Sequence, residues 1–414
     1  MRIRDAAFGA AILALGSTAA AQDWPVWRGP SRNGIAADGQ DLPVSWTDTQ
    51  NVIWKTPVSG RGASSPTITG DRIFLTTAEE DRQVQSVVAF DQDSGKQLWQ
   101  TDVNQGGFPA KIHRKNTHAT CTVASDGERL FVSFFNRRAI HVTALDLDGN
   151  KLWQRTVGAY TPVRYQYGYA PSPTIYKSSV VVAVDFDGDA FLAALDCSTG
   201  REIWRTPRPA KSNFASPIIA RTAGRDQLLI GGSDLIASYD PTSGKELWRT
   251  EATTETTCGT VVWTGNLVFG SGGFPKPGIF GVRADGSGRV VWKNRKGCYE
   301  QSMLAHDGYV YAVDDGGIAH CWKAEDGSEM WSVRLGGRVS SSPVLAGGNI
   351  YVSNEKGTTY VFEANPHEFK EVARNQLGNE AFATPTICGG RIYLRVADTV
   401  DAGRQEFLYC IGKR

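Results

Sequence analysis

The sequence predicts an all-β chain folded as an eight-bladed β-propeller of four-stranded antiparallel blades, and three observations carry that reading. The first is a recurring Gly-x-x-x-Trp signal. Its fullest copy is Ala194-Leu-Asp196-Cys-Ser-Thr199-Gly200-Arg-Glu-Ile-Trp204, with related copies ending at Trp99, Trp153 and Trp248 and weaker ones at Trp292 and Trp331. Counted from Trp54, successive tryptophans lie 45, 54, 51, 44, 44 and 39 residues apart, and periods near 40 to 50 residues mark propellers or other arrays. The second is that each period holds four short apolar runs rich in Val, Ile, Phe and Tyr, separated by Gly, Asp and Asn, which read as strands. The third is a mismatch at the two ends. The last period has three strands, at residues 382–388, 391–396 and 407–411, and no closing Trp, whereas Asn51-Val-Ile-Trp54-Lys-Thr is a fourth strand with no blade before it. Residues 51–57 are therefore expected to complete the eighth blade and close the ring, which removes an exposed sheet edge.

Taken in order, the chain opens with Arg2 and Arg4, the apolar stretch Ala6 to Leu15, and Ala19-Ala20-Ala21. That is the layout of a secretory signal peptide over residues 1–21, with cleavage expected after Ala21; it is too short for a permanent membrane span. No cysteine follows the apolar stretch, so no lipid anchor is expected, and the mature chain is expected in the periplasm or secreted. Residues 22–50 read as an irregular segment whose Trp24 and Trp27 pack onto the body, and residues 51–414 as the propeller. The eight first strands are expected to begin at Ser65-Pro66, Thr120-Cys121, Ser172-Pro173, Ser216-Pro217, Cys258-Gly259, Ser302-Met303, Ser342-Pro343 and Thr384-Pro385. Tight hairpins follow at Gly70-Asp71, Asp126-Gly127 and their equivalents, where positive φ is needed. The tryptophans Trp54, Trp99, Trp153, Trp204, Trp248, Trp292 and Trp331 stand on outermost strands, where each covers the seam with the next blade.

Composition narrows the partners. With 44 Lys and Arg against 43 Asp and Glu, interspersed, the formal charge is +1, so no basic surface calls for nucleic acid. No membrane span is expected, and the chain reads as a monomer. Seven cysteines include no Cys-x-x-Cys spacing, which leaves zinc and thioredoxin-like chemistry unsupported; small buried strand positions are the expectation for most of them.

Candidate site residues lie where the repeat is broken. In a propeller the first strands line the axial channel and the residues just before them rim one mouth. Arg61, Asn116, His118, Glu300, Arg338 and Glu380 fall at such rim positions, and the loop Arg164-Tyr165-Gln-Tyr167 adds aromatics. Two arginines suit a small anionic or hydroxylated ligand, and Glu300 or His118 suits proton transfer. The alternative is a water-filled channel with compensating charges. The second period is long, and its extra residues 106–118 form a basic, His-bearing loop of the kind that carries binding. His113 and His118 have no third ligand by spacing, so no metal site is expected. Asp185-Phe-Asp187-Gly188-Asp189 lacks the Glu that would finish a calcium loop and reads as a turn.

The motif Ala-x-Asp-x-x-Thr-Gly-x-x-x-Trp resembles the repeats of quinoprotein-type eight-bladed propellers over residues 51–414, literally at Ala194 to Trp204. That resemblance covers quinoprotein alcohol dehydrogenases using pyrroloquinoline quinone (PQQ), the propeller lipoprotein of outer-membrane barrel assembly, and secreted bacterial PQQ-like repeat proteins. Trp24-Pro-Val-Trp27-Arg28-Gly29-Pro30 looks most like the third group. The dehydrogenases' vicinal disulfide has no counterpart here, so PQQ is possible but unsupported and no cofactor is expected. The reading is a cell-envelope binding or scaffold module for a protein or small polar ligand. Its alternatives are a quinoprotein-like oxidoreductase or polysaccharide-acting enzyme at the rim, and an outer-membrane assembly partner.

Overall fold

The structure is a computed structural model that describes residues 23–401 and 403–413; the signal peptide expected over residues 1–21 lies outside the described residues. All secondary structure here is β. Thirty-two strands form eight four-stranded antiparallel sheets. In the first blade they are Thr67–Thr69, Arg72–Glu79, Val84–Asp91 and Gln97–Gln105. The last blade pairs Thr386–Cys388, Arg391–Val400 and Gly403–Gly412 with Val52–Val58 as its outer strand. The ring therefore closes with the strand that has no blade of its own in the sequence.

The sheets stack through apolar faces from adjacent blades. Phe131 and Val142 of the second blade, for example, share one buried cluster with Val180 and Phe191 of the third. The recurring turn and Trp supply the directional part of that stacking. In the third blade, Asp196 accepts the backbone N–H groups of Ser198 and Thr199, and Gly200 follows at φ +67. This turn lies under the tryptophan of the preceding blade: the Trp153 indole N–H donates to the Cys197 carbonyl at 2.9 Å. A Cβ on Gly200 would stand 2.7 Å from the Trp153 ring. Trp54, Trp99, Trp292 and Trp331 donate in the same way to Gln92, Leu147, Ala324 and Asn365 of the following blade. Two residues after the Trp, Thr56, Thr101 and Thr206 donate their hydroxyls to the carbonyls of Gly95, Gly149 and Gly244 at 2.7 Å. The glycine is required twice over, by its left-handed backbone and by the ring above it. Trp248 departs from the pattern and donates to Gln227 of its own blade; the following turn brings Gly288 against Thr250 instead.

Each outer strand also carries a β-bulge, placed at its Trp in every blade but the seventh, where Ala373 stands in that position. In the third blade Ala194 faces Trp204 while Leu195 faces Glu202, so Ile203 is left unpaired and half exposed. A bulge on every outer strand disturbs the ladder on the one edge that would otherwise template pairing with another chain.

Candidate functional site

The segments that lead into the first strands line an axial cavity of about 330 Å³, and its walls are built in two tiers. In the lower tier stand the hydroxyls of Ser65, Thr122, Ser172, Ser216, Thr260, Ser302, Ser342 and Thr384, one per blade. Seven of the eight accept a backbone N–H from the preceding blade: Ser65 N to Thr122, Thr122 N to Ser172, and so on round to Thr384 N to Ser65, at 2.9–3.1 Å. The belt has one gap, between Ser216 and Thr260, where the Thr260 hydroxyl instead accepts the Trp27 indole N–H at 2.8 Å. First strands of two to five residues make little ladder of their own, and this belt satisfies amides that water would otherwise have to reach.

Trp27 belongs to the segment that stops one end of the channel. Trp24 pairs with Ile68, and Ile35 with Leu345, so the chain crosses beneath the ring between blades 1 and 7. Arg28, 1% exposed, donates to the carbonyls of Pro343, Met303 and Asn33. Asn33 donates to Trp263 and Ala305. Burial pulls the Arg28 guanidinium down to about 9, which still leaves it charged at neutral pH, and three carbonyl dipoles face that charge. The irregular segment is thus a plug with a buried cation as its central pin.

The upper tier lies two residues before each hydroxyl and holds Ala63, Thr120, Ala170, Phe214, Cys258, Glu300, Ser340 and Phe382. These side chains are unlike one another, in contrast to the uniform belt below. Over them lies the long loop of the second blade. It is tied down by Asn116 Nδ2 to the Tyr167 carbonyl at 2.7 Å and by His113 N to the same oxygen at 3.2 Å. It then reaches across the mouth, where the Lys115 ammonium donates to both Glu300 oxygens at 3.0 and 3.2 Å and to Glu355 at 2.7 Å. Ser340 holds the other side of Glu355 Oε1. Desolvation opposes the charges of this cluster. The hydrogen bonds outweigh it, leaving Glu355 below and Lys115 above their ordinary values. Asp315 also lines the cavity and accepts the Tyr299 amide. Enclosure, with Glu300 beside it, raises its carboxyl.

Of the rim residues singled out in the sequence, Glu300, Asn116 and Tyr167 line this cavity; Arg61, His118, Tyr165, Arg338 and Glu380 do not. Arg61 is committed to the Arg114 carbonyl and Glu80. His118 stacks on Phe108 at 4.2 Å, and burial pulls its imidazole down, so it is neutral at pH 7. Tyr165 is buried against Phe274 beneath Arg164. Arg338 is exposed, and Glu380 pairs with Arg404. The physical reason is local: residues five before the proline turn outward to bridge their own blade's second strand, as Arg61 does to Ala78 and Glu380 to Ala397. Blades 2 and 5 also begin two residues later than the sequence pattern suggests, at Thr122 and Thr260, because neither has a proline to mark the register. Lys115, Cys258, Asp315 and Glu355 were missed. The aligned column of hydroxyls, set two residues later in those blades, is the signal that finds the upper tier.

A hydroxyl–imidazole–carboxylate row also occurs at Ser332, His320 and Asp314. His320 is wholly buried, and blade 2 repeats the arrangement with Thr156, His141 and the Asn136 carbonyl. It is therefore a cross-strand feature of the repeat. The seven cysteines are unpaired, and only Cys258 is not fully buried. Burial, with Glu300 and Asp315 nearby, pushes the Cys258 thiol well above its usual value.

Blades clasped by Gly and Trp around a hydroxyl belt, plugged at one end and open at the other, define a quinoprotein-type propeller. The chain belongs to the family of the outer membrane protein assembly factor BamB, whose model matches residues 23–213, 188–274 and 279–368. It is 22% identical over 324 residues to the BamB of Yersinia pestis, covering 75% of this chain and 77% of that one. It is 21% identical over 356 residues to the tetrathionate hydrolase of Acidithiobacillus ferrooxidans, covering 84% of this chain but 65% of the hydrolase. Among solved structures, the quinohemoprotein alcohol dehydrogenase of Comamonas testosteroni superposes with a TM-score of 0.67 at 13% identity, over 95% of this chain and 81% of that one. An assembly factor, a hydrolase and a dehydrogenase thus share this fold, and the fold alone selects none of their functions.

Proposed function

We propose that the chain is an exported cell-envelope propeller that works as a binding module, with the open axial mouth as its recognition face. The observation that carries this reading is the polarity of the ring axis. One end is sealed by the Arg28 plug, whereas the departures from the repeat gather at the other: the loop at residues 106–118, the Tyr165 loop and the Phe274 loop. Val163 is 77% exposed and Phe274 46% exposed there, and apolar side chains presented beside polar ones suit a partner surface. Membership of the BamB family supports an envelope protein as that partner. To test this, the protein is used to capture partners from envelope extract, alongside a Val163→Asp/Phe274→Asp variant and an Asp307→Ala control on the opposite face. A partner lost with the mouth variant and kept with the control is expected; equal retention by all three overturns the reading.

An oxidoreductase reading finds less support at the same site. A stacked PQQ would need a vicinal cysteine pair, which the sequence lacks, and among the described residues no three His, Cys, Asp or Glu groups converge as metal ligands. The cavity also sets two carboxylates, Glu300 and Asp315, against one lysine, an environment opposed to a quinone that carries carboxylates of its own. These residues do not fit that cofactor.

A further inference from the structure

From the chemistry of the axial cavity, and resting on the reading of the mouth as a binding face, we propose that the cavity takes a small organic cation. The ammonium head would lie between Asp315 and Glu300, and its apolar part against Phe214 and Tyr167.

Three features of the cavity converge on that class. The first is charge. Lys115 is the only lysine or arginine among the lining residues, and it already serves two carboxylates, Glu300 and Glu355. Asp315 opens on the same cavity with no ion pair among the described residues. One ammonium facing two lining carboxylates, Glu300 and Asp315, and shared with Glu355 behind them, leaves the enclosure with excess negative charge, and a half-closed low-dielectric site strengthens that field. The second is the wall. Tyr167 and Phe214 lie 6.0 Å apart on one side, and Phe274 and Tyr299 continue the same face of the cavity. Aromatic faces attract cations, most strongly where water is excluded, and such faces beside a carboxylate are how proteins hold alkylammonium groups. The third is that the protein's own ammonium already occupies a position between two carboxylates at this mouth. Lys115 reaches it from a loop on the opposite side of the ring, so the site accepts an ammonium and the incoming one competes with a tethered copy. A volume near 330 Å³ suits a ligand of a few carbons and excludes a polymer.

The hydroxyl belt does not supply the recognition. Each belt hydroxyl accepts one N–H and keeps its own O–H, a donor that suits a neutral or anionic oxygen and not an ammonium, so glucose and acetate are the ligands that test the belt against the carboxylates.

The purified protein is titrated at fixed ionic strength with tetramethylammonium chloride, putrescine, sodium acetate and glucose, followed by calorimetry and by the fluorescence of Trp27 on the cavity floor. Saturable binding of at least one cation, with a Kd below about 1 mM, and none of acetate or glucose is expected. Asp315→Asn and Phe214→Leu each weaken cation binding about tenfold, the effect of losing one charge contact or part of one aromatic contact. Lys115→Met strengthens it by removing the tethered competitor, and serves as the independent variant should Asp315→Asn misfold. Binding of acetate or glucose with no cation bound overturns the inference and leaves the cavity as a ligand site. Binding of none of the four, or affinity unchanged in every variant, also overturns it. The recognition face itself stands or falls separately, by the capture experiment on Val163 and Phe274.

Discussion

Replacing Gly200 with alanine puts the clasp between blades under direct test. Gly200 sits at φ +67, and an added Cβ would meet Cε3 of Trp153 at 2.7 Å, Cδ2 at 2.8 Å and the Arg155 Cγ at 3.0 Å. Carbon atoms pack at about 3.5–4.0 Å, so the indole must retreat by close to an ångström, away from the Cys197 carbonyl it bonds. Two costs add: about 1–2 kcal/mol for a left-handed L-residue and about 1–3 kcal/mol for overpacking. Gly224→Ala isolates the first cost, because Gly224 has φ +78 and nothing within 4 Å of its Cβ position. The change in unfolded-chain entropy is common to both substitutions and cancels in the comparison. Urea unfolding followed by circular dichroism should therefore show Gly200→Ala less stable than Gly224→Ala by about 1–3 kcal/mol. In a Trp153→Ala background, itself about 3–5 kcal/mol less stable, the difference should vanish, since the atom in the way is gone. Equal losses for the two glycines, or a difference that survives removal of Trp153, would refute the clasp.

Other consequences follow from the plug and the mouth. Arg28→Met removes three carbonyl partners of a buried guanidinium; relief of its desolvation offsets part of that, and a net loss of about 2–4 kcal/mol with faster acrylamide quenching of Trp27 is expected. The Lys115 latch depends on pH in a defined direction. Glu355 is depressed in the folded protein, so its contribution is present above the unfolded value of 4.5 and is lost as pH falls through the lower folded value. Lys115 is raised, so its contribution is present below 10.5 and is lost as pH climbs through the higher folded value. Amide exchange of residues 106–118, corrected for intrinsic rate, should rise below about pH 4.5, and Glu355→Gln should show the faster exchange already at pH 7. His118→Ala should cost about 1 kcal/mol through its stack on Phe108 and leave cation titrations unchanged; a change in affinity would place His118 at the ligand after all.

What the sequence disclosed and what it withheld have the same origin. Gly200 and Trp204 announce themselves because the clasp is repeated around the ring, and Trp54 betrays ring closure because its strand has no blade of its own. Repetition also misleads. His118 and Arg338 were assigned to the channel by counting back from a proline, yet Thr122 and Thr260 start their blades without one, and the chain five residues upstream has already turned outward. Lys115 was legible only as part of a basic loop. Its reach across the mouth to Glu300 and Glu355, 185 and 240 residues away, depends on ring closure, which no local pattern encodes. Cys258 enters the upper tier only once the hydroxyl belt fixes the register of the first strands, and Asp315, in the turn after Tyr309–Val313, lies outside that column altogether.

The claim that recognition occurs at the open mouth is tested most directly by site-specific photo-crosslinking in cells. A benzophenone amino acid is placed at Val163 on the mouth and, separately, at Asp307 in a hairpin at the plugged end. Discrete adducts from position 163 and none from position 307 are the predicted result. Adducts confined to position 307, or absent from both, would contradict it.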